Sequence, residues 1–196
     1  LDIGTGTGLI ALQIAQRCDS EIIDALEIEP GAFEQAVENF ENSPWSDRLF
    51  CYHAPLQEFD MEMDEGYDLI VCNPPFFNNS FPADDKGRHL ARQKEQLDFE
   101  SLLGPVSKLL NPGGTCAFVI PFDQEEKFNV TGEKNNRFPN RRTRVKGSPT
   151  SPVKRSLIQM QRKKASLELS ELIIETSRHV YTQAYLDLVS EFYLKM

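Results

Sequence analysis

Three short stretches of this sequence combine residue types that can do chemistry together. The first is Asn73-Pro74-Pro75-Phe76. The Asn73 side-chain oxygen and the Pro74 carbonyl are neighbouring acceptors that can take both hydrogens of an amine. An amine on an aromatic ring is a poor nucleophile because its lone pair is delocalised. Two acceptors on its hydrogens favour a pyramidal nitrogen and free that lone pair for in-line attack. This is orientation plus electrostatic preorganisation, and it requires neither a metal nor a strong base. Phe76 offers a face on which a planar base can stack, worth about 1–3 kcal/mol in nucleic-acid systems. A proline-stiffened turn after a strand would need neither the Asn nor the aromatic.

The second stretch is Asp2-Ile3-Gly4-Thr5-Gly6-Thr7-Gly8. Glycines are needed where backbone bends sharply and approaches a ligand with no Cβ in the way. A dinucleotide fingerprint spaces them G-x-G-x-x-G, whereas here they stand at 4, 6 and 8 with Leu9 following. A tight strand-to-helix connection is the plain alternative. The third feature is Glu27, which closes Ile23-Asp24-Ala25-Leu26-Glu27. It stands about twenty residues past the glycines, where an acid accepts hydrogen bonds from two ribose hydroxyls. An exposed strand-end Glu is the bland reading of that position, and its pairing with the glycine turn favours the ligand role.

Such residues converge only if strands deliver them to one edge of a sheet. Short apolar runs alternate with helical stretches, which predicts an α/β fold with a mainly parallel sheet. Strands are expected at Leu1–Ile3, Glu21–Ile28, Leu49–His53, Tyr67–Cys72 and Thr115–Ile120. Helices are expected at Leu9–Arg17, from Pro30 to about Phe40, and at Phe99–Leu110, which ends at Asn111-Pro112-Gly113-Gly114. Arg141–Lys146 and Val153–Gln161 read as two strands around a Gly-Ser-Pro-Thr-Ser-Pro turn, and Tyr181–Tyr193 as a last amphipathic helix. The stretches around 78–95 and 123–140 read as loop-rich. The whole of 1–196 reads as one domain of about seven strands with an antiparallel C-terminal pair, and a ligand is expected over the carboxyl ends of the strands. Because the chain opens on Leu1 inside a strand-like run, a preceding segment is expected in the natural protein.

Composition is ordinary for a globular chain, with 40% apolar and 26% charged residues. The four cysteines (Cys18, Cys51, Cys72, Cys116) are widely spaced. They suit thiols in a reducing, cytoplasmic setting better than a disulfide framework or a metal site. No apolar run approaches the roughly 18 residues of a membrane span. A net charge of −9 argues against nucleic acid until its distribution is considered. Between Lys134 and Lys164 stand eleven Lys/Arg and no Asp or Glu, leaving 10 basic against 30 acidic residues elsewhere. An acidic body with one basic stripe is the footprint of a protein that meets a polyanion on one face. A solvated loop is the alternative. Arg141, Arg142 and Arg144 are the densest group in the stripe. Arg142 and Arg144, two apart on a strand, should share a face.

The glycine turn in its D-x-G-x-G-x-G form resembles the first motif of class I methyltransferases, and Asn73-Pro74-Pro75-Phe76 resembles the motif of amino-methyltransferases acting on adenine, guanine or glutamine amides. Asn42-Ser43-Pro44-Trp45, Tyr181-Thr182-Gln183-Ala184-Tyr185 and Phe192-Tyr193-Leu194 extend the similarity to the bacterial tRNA1(Val) adenine N6-methyltransferases, over most of the chain. The resemblance implies a Rossmann-like fold that uses S-adenosylmethionine, gives S-adenosylhomocysteine and needs no metal. It implies a tRNA substrate, with no membrane or obligate protein partner. Asp2 would lie near the cofactor's ammonium group, Gly4, Gly6 and Gly8 against its methionine portion, Glu27 on its ribose, and Ile28 over its adenine. Asn73, Pro74 and Phe76 would hold the target base. The chain departs from the family in two places. Some forty residues usual before the glycine turn are missing. At Ala54-Pro55-Leu56 no acid is present to read the cofactor's adenine amine, which leaves backbone groups of Leu56, or Gln57.

Rival readings are a methyltransferase for ribosomal-RNA guanine or a protein glutamine, and a non-catalytic RNA-binding or assembly module. The intact glycine set, Glu27 and Asn73 argue against the module. His53, His89 and His179 lack triad-like companions and read as structural. Asn129-Val130-Thr131 reads as an accidental sequon. Arg88, Arg92 and Lys94 are further candidates for phosphate contacts.

Overall fold

The computed structural model describes residues 1–63, 66–74 and 98–194. Among these described residues ten strands and six α-helices follow one another. They are β1 (Asp2–Ile3), α1 (Leu9–Arg17), β2 (Ile23–Leu26), α2 (Pro30–Glu41), β3 (Leu49–Tyr52), α3 (Leu56–Glu62), β4 (Tyr67–Cys72), α4 (Phe99–Leu109), β5 (Leu110–Pro121), α5 (Glu125–Lys134), β6 (Phe138–Lys146), β7 (Val153–Gln161), β8 (Glu168–Ile173), β9 (Glu175–Ser177), β10 (Val180–Tyr181) and α6 (Gln183–Val189). Eight strands form one sheet in the order β3-β2-β1-β4-β5-β7-β6-β8, and β9 and β10 pair separately. The strands from β3 through β5 are mutually parallel. β7 runs antiparallel to both β5 and β6, and β8 lies parallel to β6. The strand order reverses between β1 and β4, which is where ligands bind in open α/β sheets.

Every residue of β1 and β2 is buried, as expected for strands covered on both faces. The larger core unites Ile3, Leu26, Ile70, Leu102, Leu103, Phe118 and Ile158. A smaller core sets Ala11 and Ala15 of α1 and Phe40 of α2 against Ile23, Ala25 and Leu49. Two expectations need correction. The sheet has eight strands rather than about seven. The additional one, Glu-Leu-Ser-Glu-Leu-Ile, is a largely exposed edge strand, so it lacks the buried alternation that marks a strand in a sequence. Residues 125–134 form α5, not a loop. Phe128 anchors this helix, its ring 5.0 Å from Phe99 and 4.9 Å from Phe118, both edge-on. Its other buried positions are polar or glycine, so the apolar stripe that advertises a helix is faint.

Candidate active site

The carboxyl ends of β1, β2 and β4 form one continuous edge, because Ile3 pairs with both Leu26 and Cys72. The residues that follow these strands therefore meet there: the glycine turn, Glu27 and Ile28, and Asn73 and Pro74. Gly4, Gly6 and Gly8 all have positive φ, from 60° to 86°. Their surroundings divide them. Among the described residues a Cβ at Gly4 or Gly6 would meet nothing within 4 Å, so both face open space there. A Cβ at Gly8 would lie 2.4 Å from the Phe40 ring, so Gly8 lets α2 close on the start of α1. Asn39 Nδ2 ties the same turn to α2 by donating 2.8 Å to the Thr7 carbonyl.

Glu27 is buried and braces the turn. Its carboxylate accepts from Gly6 N at 2.8 Å, Ile28 N at 2.8 Å and Glu29 N at 2.9 Å. An ionised carboxylate has about four lone-pair sites, so one direction remains for a ligand. Ile28 is 59% exposed beside it. Its carbonyl is 3.1 Å from His53 Nε2, and the His53 ring stacks on Phe33 at 4.9 Å. His53 thus serves as packing, in agreement with its structural reading. Glu29 caps α2 by accepting from Gly31 N and Ala32 N, with Pro30 in the first turn.

Asp2 is 1% exposed. One of its oxygens accepts from the Thr5 hydroxyl at 2.6 Å, and the other, Oδ1, has no partner among the described residues. Burial pushes its carboxyl above the ordinary value, and the Thr5 hydrogen bond pulls the other way. Asn73 is exposed at the end of β4, and Pro74 beyond it is buried. The Leu56 side chain is in the core, which leaves only its backbone for recognition at the start of α3. The Gln57 amide donates 3.0 Å to the Ser101 carbonyl and is already engaged with α4. Phe76, His89, Arg88, Arg92 and Lys94 lie outside the described residues.

The model of the methyltransferase small domain family matches residues 1–125. A tRNA1(Val) (adenine(37)-N6)-methyltransferase of Flavobacterium psychrophilum is 52% identical over all of this chain and 84% of its own length. The protein of that description from Flavobacterium johnsoniae is 51% identical with the same coverage. The chain belongs to this methyltransferase family. Among solved structures, a predicted O-methyltransferase from Agrobacterium tumefaciens superposes with a TM-score of 0.74. It is 19% identical, over 96% of this chain and 86% of that one, a likeness of fold.

In this methyltransferase the basic stripe is folded into the β6–β7 hairpin and divided by its neighbours. Arg142 and Arg144 do share a face, but it is turned inward. Both meet Glu125 at the start of α5, at 3.1 Å and 2.8 Å, and Ser156 donates to the same carboxylate. The Arg142 side chain is only 11% exposed. A buried carboxylate thus already engages both guanidinium groups that the sequence offers to phosphate. Burial pushes the Glu125 carboxyl up, but the hydrogen bonds from Arg144 and Ser156 and the charges of Arg142 and Arg144 outweigh it. Its pKa lies below the ordinary value. Arg141 projects on the opposite face, well exposed, 4.0 Å from Glu168, and Lys146 pairs with Glu171 at 2.8 Å. The acids of β8 thus offset cations on both faces of β6, Glu168 beside Arg141 and Glu171 in register with Arg144. The clamp on Glu125 was invisible in the sequence because its acid and its arginines stand 17 to 19 positions apart with helix α5 between them.

Proposed function

We propose that this chain transfers the methyl group of S-adenosylmethionine to the N6 amine of adenine 37 in tRNA1(Val). The observation that carries the reading is similarity to relatives of that description, at about half identity along the entire chain, in a molecule whose Asn73 leaves β4 beside an open glycine turn. The residues present fit the cofactor. Asp2 Oδ1 is a buried acceptor that no side chain satisfies among the described residues, suited to an ammonium group. Gly4 and Gly6 border open space. Glu27 retains an acceptor direction for ribose hydroxyls, and exposed Ile28 can cover a planar ring.

S-adenosylmethionine supplies an electrophilic methyl group on a sulfonium. The chain's own work is to present the amine. Asn73 Oδ1 and the Pro74 carbonyl accept its two hydrogens, orient the nitrogen and release its lone pair toward the methyl carbon. As the new C–N bond forms, positive charge grows on the nitrogen and strengthens both hydrogen bonds, so they stabilise the transition state more than the ground state. One amine proton then leaves to water. Phe76 is proposed as the stacking face for the base, and Arg141 and Arg92 as contacts to RNA.

The test is methyl transfer from labelled S-adenosylmethionine to an unmodified tRNA1(Val) transcript, followed by nucleoside mass spectrometry. N6-methyladenosine at position 37 is the expected product. Label appearing only in guanosine, or only in protein, would overturn the reading.

A further inference from the structure

The two ends of the basic stripe are far apart in sequence but adjacent in the fold. Phe138 of β6 pairs with Gln161 of β7, so the stretch Lys134–Arg137 lies beside Arg162–Lys164 at the open base of the hairpin. A cavity of about 460 Å³ is found there, lined by Ser107, Asn135, Asn136, Arg137 and Arg162. It lies at the edge of the sheet opposite the methyl-transfer site. β5 pairs with β7 from Thr115–Gln161 to Pro121–Arg155, six residue steps or about 20 Å of strand.

The cavity is built around a buried charge. Asn136 takes the left-handed conformation, φ 54°, at the end of α5, and the chain then turns Arg137 inward until it is 1% exposed. Its guanidinium donates to the Ser107 carbonyl at 2.5 Å and the Asn136 carbonyl at 3.2 Å. Two of its five N–H donors are thereby used, and Nε has no partner among the described residues. The Ser107 carbonyl lies in the last turn of α4, whose partial negative end, about half a charge, offsets Arg137, and Asn136 stands just beyond the end of α5. Among the described residues neither arginine meets a carboxylate, although Glu100 touches the rim through Asn135 Nδ2 at 3.3 Å. Burial lowers the pKa of Arg137, and the like charge of Arg162 lowers it further. Lys163 and Lys164 extend the surplus outward, the latter with its ammonium 4.9 Å from the Phe138 ring. The middle of the stripe is neutralised by Glu125, Glu168 and Glu171, whereas its base is not.

We propose that this cavity binds a backbone phosphate of the RNA substrate, through Arg162 and the lysines beside it, with Arg137 as a fixed positive charge beneath. The proposal rests on the RNA reading above and places a phosphate contact about one sheet length from the reacting base. Charge fixed in a poorly solvated wall acts on an anion at the cavity mouth with little screening.

Arg137 is the obvious target, but its guanidinium also closes two helices, so exposed Arg162 decides. R162Q/K163Q should bind an unmodified tRNA1(Val) transcript several-fold more weakly at 150 mM salt, and the slope of log affinity against log salt should fall by roughly 1–2. Affinity for S-adenosylmethionine and turnover at saturating tRNA should stay at wild-type values, and R162K/K163R should restore binding. If the wild type methylates the transcript while R162Q/K163Q shows unchanged affinity and slope, this proposal alone falls. If the wild type neither binds nor methylates tRNA, both readings fall. If inorganic phosphate raises the wild-type melting temperature but not that of R162Q/K163Q, with tRNA binding equal in the two, the cavity takes a free anion and the RNA contact is refuted.

Discussion

Replacing Glu27 by alanine tests whether this residue is only a cofactor ligand. If it were, the variant would lose affinity by about 1–3 kcal/mol through the ribose contact and remain as stable as the wild type. The structure predicts more, because the carboxylate accepts three backbone N–H groups before any ligand arrives. Hydrogen bonds to a charged group contribute about 1.5–3 kcal/mol each. Ile28 and Glu29 are exposed and their N–H groups can turn to water; Gly6 is half-buried and less able to. The expected destabilisation is therefore about 2–4 kcal/mol, below the sum of three full bonds. For a chain of 196 residues that lowers Tm by about 4–16 °C, at about 2–4 °C per kcal/mol. Glu27→Gln keeps one acceptor oxygen and should fall between the two. Differential scanning calorimetry without ligand isolates the bracing, and titration with S-adenosylmethionine adds the ligand contribution. An alanine variant that melts within about 2 °C of wild type would refute the bracing argument. One that also binds S-adenosylmethionine normally would remove Glu27 from the site.

Asn73→Ala should reduce turnover by about 10²–10³ with cofactor affinity nearly unchanged, because its contact matures in the transition state; single-turnover kinetics and calorimetry check the two halves. Burial holds the Asp2 carboxyl above its ordinary value of 3.8, so its contribution to stability is full below 3.8 and is lost as pH rises through the raised value. An ammonium partner favours the ionised form, so cofactor binding in that window should release a proton, measurable by calorimetry in buffers of different ionisation enthalpy. Glu125 is held below its ordinary 4.5. Its contribution is present above 4.5 and lost as pH falls through the lowered value, and Glu125→Gln should flatten that acid limb in a urea titration. Gly8→Ala should destabilise the fold through its 2.4 Å clash with Phe40 and its positive φ, and thermal unfolding should show the loss without ligand.

The edge that carries the site was legible because its determinants are local. A glycine at positive φ, an acid closing a strand and a polar-Pro-Pro run each declare themselves within a few residues, and alternation of strands and helices puts them at one end of the sheet. The sequence did not separate the glycines, since only packing distinguishes Gly8 against Phe40 from Gly4 and Gly6 against open space. Nor did it reveal β8, whose mostly exposed face carries no apolar signal, or α5, which is held by Phe128 more than by a stripe. The shared face of Arg142 and Arg144 followed from strand periodicity, but periodicity does not say whether a shared face meets solvent or a carboxylate.

That last distinction governs how charge in this chain should be read. A run of eleven cations without an acid looks like a single surface only while it is drawn as a line. Folded, its middle meets Glu125 at the start of α5 and Glu168 and Glu171 along β8, and the pairs there stabilise the hairpin at the expense of any external anion. Removing both arginines of the cluster would strand the Glu125 carboxylate, and removing Glu125 would leave two guanidinium groups without it, at a cost of about 3–5 kcal/mol. Arg142 and Arg144 are therefore poor probes of RNA binding: their loss would weaken every function together by loosening the fold. The cations that can act outward are well-exposed Arg141 and those that meet no carboxylate among the described residues, Lys154 and Arg155 near the methyl-transfer edge and Arg162 to Lys164 at the opposite one. A long polyanion can reach both ends of the sheet, whereas a small anionic ligand can reach only one.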